Sequence, residues 1–102
     1  EAKVKKKVAD ALKKLGAYYF YPVTGGYGKS GVPDIVGCYE GKFFGIECKA
    51  GKGKTTALQE MNLKQITASG GISAVVNEDN VHTVADILNE REVSERQLAF
   101  DF

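Results

Sequence analysis

Gly31-Val32-Pro33-Asp34-Ile35-Val36-Gly37-Cys38-Tyr39-Glu40-Gly41-Lys42-Phe43-Phe44-Gly45-Ile46-Glu47-Cys48-Lys49 reads as two strands joined by a tight turn at Glu40-Gly41. The first strand opens with a proline and an acid; the second closes on acid, any residue, lysine. Side chains alternate faces along a strand, so Glu47 and Lys49 share one face while Phe44, Ile46 and Cys48 share the other. With Asp34 facing the same way from the neighbouring strand, two carboxylates and an ammonium converge on an apolar hairpin.

Taken alone, a Glu-x-Lys pair on a strand face is usually a surface ion pair worth under about 1 kcal/mol. The context here differs. Ile35-Val36 and Phe43-Phe44-x-Ile46 have the near-continuous apolar character of interior strands, where a charge is costly unless it is paired or bound to a metal. Two carboxylates on adjacent strands suit a hard divalent cation such as Mg²⁺. Such a cation polarises a phosphoryl oxygen and makes water nucleophilic at neutral pH. A lysine beside it orients or deprotonates that water and steadies developing charge. Asp34, Glu47 and Lys49 supply these parts for phosphodiester hydrolysis.

The order Gly-x-Pro-Asp, hairpin, Ile-Glu-Cys-Lys resembles the PD-(D/E)XK nuclease superfamily. Gly31-Val32-Pro33-Asp34, Leu58-Gln59 and Gly70-Gly71-Ile72 resemble its VRR-Nuc branch, the virus-type replication-repair nucleases, over roughly residues 1 to 76. The resemblance implies a restriction-endonuclease-like α/β core, a mixed central sheet flanked by helices. It implies Mg²⁺ or Mn²⁺ held by Asp34, Glu47 and the backbone carbonyl of Cys48, with Lys49 serving the nucleophilic water. It also implies an active-site role for a glutamine at the position of Gln59 and, on the first helix, for a glutamate such as Glu1.

The chain has 102 residues, enough for one domain with a modest core, and small size makes a symmetric oligomer plausible. Its net charge of +1 hides an asymmetry: residues 1–54 carry 11 lysines and 5 acids, whereas residues 55–102 carry 3 basic residues and 8 acids. A basic half suits a phosphate-bearing partner, though a solvated lysine-rich helix accounts equally for the first seven residues. Cys38 and Cys48 lack metal-ligand spacing and read as small buried residues. They fit a reducing cytoplasm, bacterial or phage-infected. No apolar run reaches membrane-spanning length and no secretory leader is visible.

From the start, Val4, Val8, Ala11, Leu12 and Leu15 form one stripe of a helix over Ala2–Leu15, which Gly16 ends. Glu1 lies on that same face, either as a dipole-favoured acid or as a site residue. Ala17–Val23 reads as a strand or edge stopped by Pro22. Its tyrosines are candidates for base stacking, but half-burial in the core is the commoner role. The glycine loop Thr24–Gly31 leads into a strand rather than out of one into a helix, so it does not bind a dinucleotide. Neither Gly28-Lys29-Ser30 nor Gly53-Lys54-Thr55 has the first glycine of a P-loop, which leaves no nucleotide cofactor. Lys29, Ser30, Lys52 and Lys54 are instead candidate contacts to a DNA backbone.

Thr56–Ser69 reads as a second helix. Thr56-x-x-Gln59 matches a capping box, and the stripe Gln59, Leu63, Ile66, Gly70 also aims Gln59 at the sheet end near Lys49. Leu58, Met61, Gln65 and Ala68 make a second semi-apolar face, a hint of a homodimer. Ile72–Val76 reads as a buried strand, Val81–Val84 as another, and Ala85–Arg96 as an acidic helix. Leu98, Phe100 and Phe102 alternate in the tail, so residues 87–102 are a candidate oligomerisation segment. His82 is isolated and has no catalytic role. The expectation is a single nuclease domain over residues 1–102: a metal-dependent DNA endonuclease, structure-specific in the manner of a Holliday-junction resolvase. Action on flap, nicked or single-stranded DNA, or a nucleic-acid-binding module without catalysis, are the alternatives.

Overall fold

The computed structural model describes residues 1–23 and 30–90. The elements run α1 (Ala2–Leu15), β1 (Tyr18–Phe20), β2 (Ile35–Tyr39), β3 (Lys42–Cys48), α2 (Ala57–Ala68), β4 (Ile72–Val76), a 3₁₀ turn (Val81–Thr83) and α3 (Val84–Leu88). The four strands form one mixed sheet in the order β1-β2-β3-β4. The first three are antiparallel, and β4 returns parallel to β3 after the α2 crossover. Among the described residues no helix is long and apolar enough to cross a membrane.

The hairpin forms as its spacing predicts, with Tyr39 opposite Lys42. Glu40 and Gly41 both take positive φ, as a two-residue type I′ turn requires. Alternation then divides the sheet. Ile35, Phe44, Ile46, Cys48, Ile72, Ala74 and Val76 face one side and bury against Val4, Val8 and Leu12 of α1 and Val84, Ile87 and Leu88 of α3. α1 stops where Gly16 takes a left-handed conformation at φ 77°. The other side carries Val36, Cys38, Phe43, Gly45, Glu47 and Ser73, and α2 lies over the β3–β4 half of it. β1 sits against β2 over Gly37, where any Cβ would collide with the Tyr18 carbonyl oxygen.

Four expectations are corrected. Val81–Thr83 is a 3₁₀ turn and not a strand. α3 spans only Val84–Leu88 and Glu90 reaches positive φ, so the helix does not run on from Ala85 to Arg96; residues 91–102 lie outside the described residues. Cys38 is exposed rather than buried, because α2 does not reach its part of the sheet. Tyr19 on β1 is half-buried as expected, but Tyr18 is 70% exposed, and Tyr21, just beyond the strand, is 44% exposed. Ile87 and Leu88, at the head of the candidate oligomerisation segment, are spent on the chain's own core.

Candidate active site

Sheet register brings the acids together. Ile35 pairs with Ile46, so Asp34 stands one step further out, level with Glu47 on the adjacent strand. The Cys48 N–H, released where the β2–β3 ladder ends, donates to Asp34 Oδ2 at 2.9 Å. The next amide, Lys49 N–H, rejoins the sheet by donating to the Val76 carbonyl at 2.9 Å. The turn from Asp34 to Lys49 is thus clamped on both sides.

α2 fixes the approach to Asp34. Asn62, 5% exposed, donates its Nδ2 to the Ser30 carbonyl at 3.1 Å and to the Leu58 carbonyl at 2.9 Å. Gly31 takes φ +76° directly on Leu58; an added Cβ would lie 2.9 Å from two Leu58 backbone atoms. The glycine of Gly-x-Pro-Asp is therefore demanded twice, by its dihedral and by its contact. Sequence reasoning missed Asn62. A polar residue beside the Leu63 stripe reads as solvated, and its one visible signal is an apolar neighbour on each side, Met61 and Leu63.

Gln59 makes the contacts of both readings between which its spacing left a choice. Its backbone N–H donates to Thr56 Oγ1 at 3.2 Å and its Oε1 accepts from Thr56 N–H at 2.9 Å, a complete capping box. Its Nε2 then donates to Glu47 Oε2 at 2.9 Å. Lys49 Nζ lies 3.3 Å from the same Oε2. One oxygen of Glu47 thus takes both protein partners. The other, Oε1, is buried and has none.

The Glu47 side chain is 2% exposed. Burial first, then the Asp34 charge, push its carboxyl up to about 7 against the opposing pull of Lys49, and Glu1 adds a smaller push. Burial, then Asp34 and Glu47, raise the Cys48 thiol to about 12. That thiol stays neutral in the core, which leaves the main chain as the part of Cys48 able to face a ligand. Glu1 is exposed and makes no capping hydrogen bond, yet its charge reaches Glu47 and Cys48. Lys52 and Lys54 are exposed on the connection from β3 to α2, where the Gly51 N–H donates to Glu78 Oε1 at 2.8 Å. Ser30 is exposed at the loop end; Lys29 lies outside the described residues.

No group of three or more His, Cys, Asp or Glu side chains suited to a metal occurs among the described residues. Mg²⁺ does not need one, since it commonly sits on one or two carboxylates and keeps several waters. A buried carboxylate oxygen without a hydrogen-bond donor, beside a second carboxylate, fits such an ion.

No family model matches the chain, and no curated protein matches it. Among solved structures it resembles Hjc, a Holliday junction resolvase from the archaeal hyperthermophile Archaeoglobus fulgidus, with a TM-score of 0.56 and 20% identity. The match covers 76% of this chain and 66% of that one, so the chain spans just under two thirds of the resolvase's length. The fold is therefore of the resolvase and restriction-endonuclease-like type that the resemblance of the sequence motifs implies.

Proposed function

We propose that this chain is a metal-dependent DNA endonuclease of the VRR-Nuc type, acting on branched DNA. The observation that carries the reading is the divided Glu47 carboxylate, with Oε2 held by Gln59 and Lys49 and Oε1 buried and bare. A purely structural glutamate at this depth would have both oxygens satisfied. Asp34, Glu47 and the Cys48 carbonyl are the groups that would hold Mg²⁺ or Mn²⁺. When bound, the ion supplies positive charge against the phosphoryl oxygens and a more acidic water. Lys49 holds the Glu47 carboxylate ionised and orients water at the open side of the site. Gln59 fixes the carboxylate's rotation by spending one amide on Glu47 and on the helix cap together. Ser30, Lys52 and Lys54, with Lys29 by its place in the sequence, are the proposed contacts to the DNA backbone, and Glu1 is a further electrostatic neighbour of Glu47.

The branched-substrate reading is supported by the resolvase fold and by a sequence in which no base-reading helix-turn-helix or zinc finger is visible. The test is cleavage of a labelled four-way junction beside linear duplex of the same sequence, with Mg²⁺, Mn²⁺ or EDTA. Junction cutting that needs the metal is the expected result. Equal cutting of both substrates overturns the structural preference, and binding without cutting in either metal moves the chain to a binding module.

A homodimer completes the reading, because two sites related by a twofold axis cut two strands symmetrically. It is supported by the sheet half that α2 leaves open. Phe20, Val36, Phe43, Pro33 and Ile66 line a groove of about 540 Å³ there, and Phe20 and Phe43 are each 48% exposed. Phe43→Glu is expected to halve the mass measured by light scattering; a wild-type mass of one chain sinks the dimer.

A further inference from the structure

α1 and the edge strand β1 enclose a second trough, of about 410 Å³, on the opposite flank of β1 from the apolar groove. α1 lines it with Ala2, Ala9 and the lysines Lys5, Lys6 and Lys13, and the β1 side lines it with Tyr19 and Tyr21. Lys6 and Lys13, seven residues apart, lie on one stripe of α1 away from the apolar stripe that enters the core, while half-buried Lys5 borders that apolar stripe. Asp10 is the acid in the lining, and Lys6 bridges it at 3.4 Å. Lys5 Nζ lies 5.7 Å from the centre of the Tyr21 ring, and the Tyr19 and Tyr21 rings meet edge to face at 6.2 Å.

The trough lies on the α1 face of the sheet, opposite the face that carries Asp34 and Glu47, and its near end reaches the same end of the sheet as those carboxylates. Phe20 pairs with Val36, so Tyr21 follows at the level of Ile35, one residue from Asp34. Lys5 and Glu1, at the same end of α1, are near enough to shift Cys48 electrostatically. Lys6 and Lys13 thus lead away from that end of the sheet, where the exposed Tyr21 ring stands beside Lys5.

We propose that this trough takes one unpaired DNA strand as it leaves the scissile position, its phosphates on Lys6 and Lys13 and a base on Tyr21. The proposal rests on the nuclease reading and adds the path of the substrate. Lysines alone would serve duplex as well as single strand. The tyrosines decide between them: base faces are stacked away inside a duplex but are free to meet an aromatic ring in an unpaired strand. The trough is also walled on both sides, by a helix and by a sheet edge, which fits one backbone rather than two.

Anisotropy of a labelled oligothymidylate, titrated with full-length chain in an otherwise unchanged Lys49→Ala background, tests the path. Adding Lys6→Ala and Lys13→Ala is expected to weaken binding about tenfold and to reduce the slope of log K against log salt by about 1.4, at about 0.7 for each phosphate no longer neutralised. Tyr21→Ala is expected to weaken it about fivefold at constant slope. Lys7→Ala with Lys14→Ala removes the same charge from a different face of α1, which lines another groove, and serves as the control. Equal losses in control and trough variants overturn the path, as does unchanged binding in the trough variant. Competition by duplex as effective as by single strand overturns the unpaired strand. Failure of the background protein to bind either form of DNA is a different outcome, and it removes the nuclease reading itself.

Discussion

Glu47→Gln is expected to abolish metal-dependent cleavage and, at pH 8 without metal, to make the protein about 2 kcal/mol more stable than wild type. The opposed effects come from one cause. Glu47 is held ionised in a buried place that favours its protonated form, with a carboxyl at about 7 in the fold against 4.5 as its ordinary value. Between those values the native state binds more protons than the unfolded state, so metal-free stability falls as pH rises from about 4.5 through about 7 and then levels off. The full displacement corresponds to about 3 kcal/mol at 1.36 kcal/mol per pKa unit. The amide gives back part of that, since its NH₂ inherits the position of the unpartnered Oε1 and Lys49 loses its anion. Urea unfolding of both proteins at pH 5 and pH 8 in EDTA measures the difference, which should be small at pH 5 and grow with pH. Mg²⁺ at about 100 times its dissociation constant should return about 2.7 kcal/mol to the wild type and nothing to the variant. A difference between the two proteins that stays constant with pH removes the raised Glu47 carboxyl, and equal stabilisation of both by Mg²⁺ removes Glu47 from the metal site.

The parts of this arrangement that sequence makes legible are those governed by short periods. Alternation along β3 places Glu47 and Lys49 opposite the core residues Phe44, Ile46 and Cys48, and the Glu40-Gly41 turn brings Asp34 level with them. Gly16 and the Val4, Val8, Leu12 stripe set α1. What is not legible depends on how far one element reaches over another. Cys38 looks as buried as Cys48 in the hairpin sequence, and only the placement of α2 over the β3–β4 half of the sheet separates them. Val81-His82-Thr83 has strand-like β-branched character, but the preceding asparagines decide otherwise. Asn77 Oδ1 accepts from the Asp79 and Asn80 N–H groups, and Asn80 Nδ2 donates to the Val75 carbonyl. These side chains take hydrogen bonds that a hairpin would need, and turn the chain into a 3₁₀ segment instead. For Gln59 the spacing offers a cap and a site role as alternatives. They are compatible because the two ends of a primary amide differ: the carbonyl end caps the helix and the NH₂ end holds Glu47.

Lys49→Ala is expected to lower cleavage of the preferred DNA about a thousandfold at pH 7, the middle of the range for a group that assists proton transfer. Part of that loss should return at pH 9. The ammonium lies 3.3 Å from Glu47 Oε2 with only 14% of the side chain exposed, and both its charge and its hydrogen bond pull the Glu47 carboxyl down from the higher value that burial and Asp34 would impose. Without Lys49 that carboxyl rises beyond about 7, so at pH 7 most of the protein carries a protonated Glu47 that cannot hold a cation. Raising the pH ionises it and restores metal affinity, while the lost orientation of water is not restored. Lys49→Arg separates the two contributions, since it keeps the positive charge near Oε2 but alters the reach and donor geometry. Its metal affinity should stay within a few-fold of wild type at pH 7 and its cleavage should remain low. Calorimetric Mn²⁺ affinity and cleavage rate, each measured from pH 6 to pH 9 for the three proteins, give the answer. Metal affinity of Lys49→Ala that matches wild type at pH 7 would show that Lys49 acts on water alone. A parallel fall in affinity and rate, both recovering with pH, would show that its main work is to keep Glu47 charged.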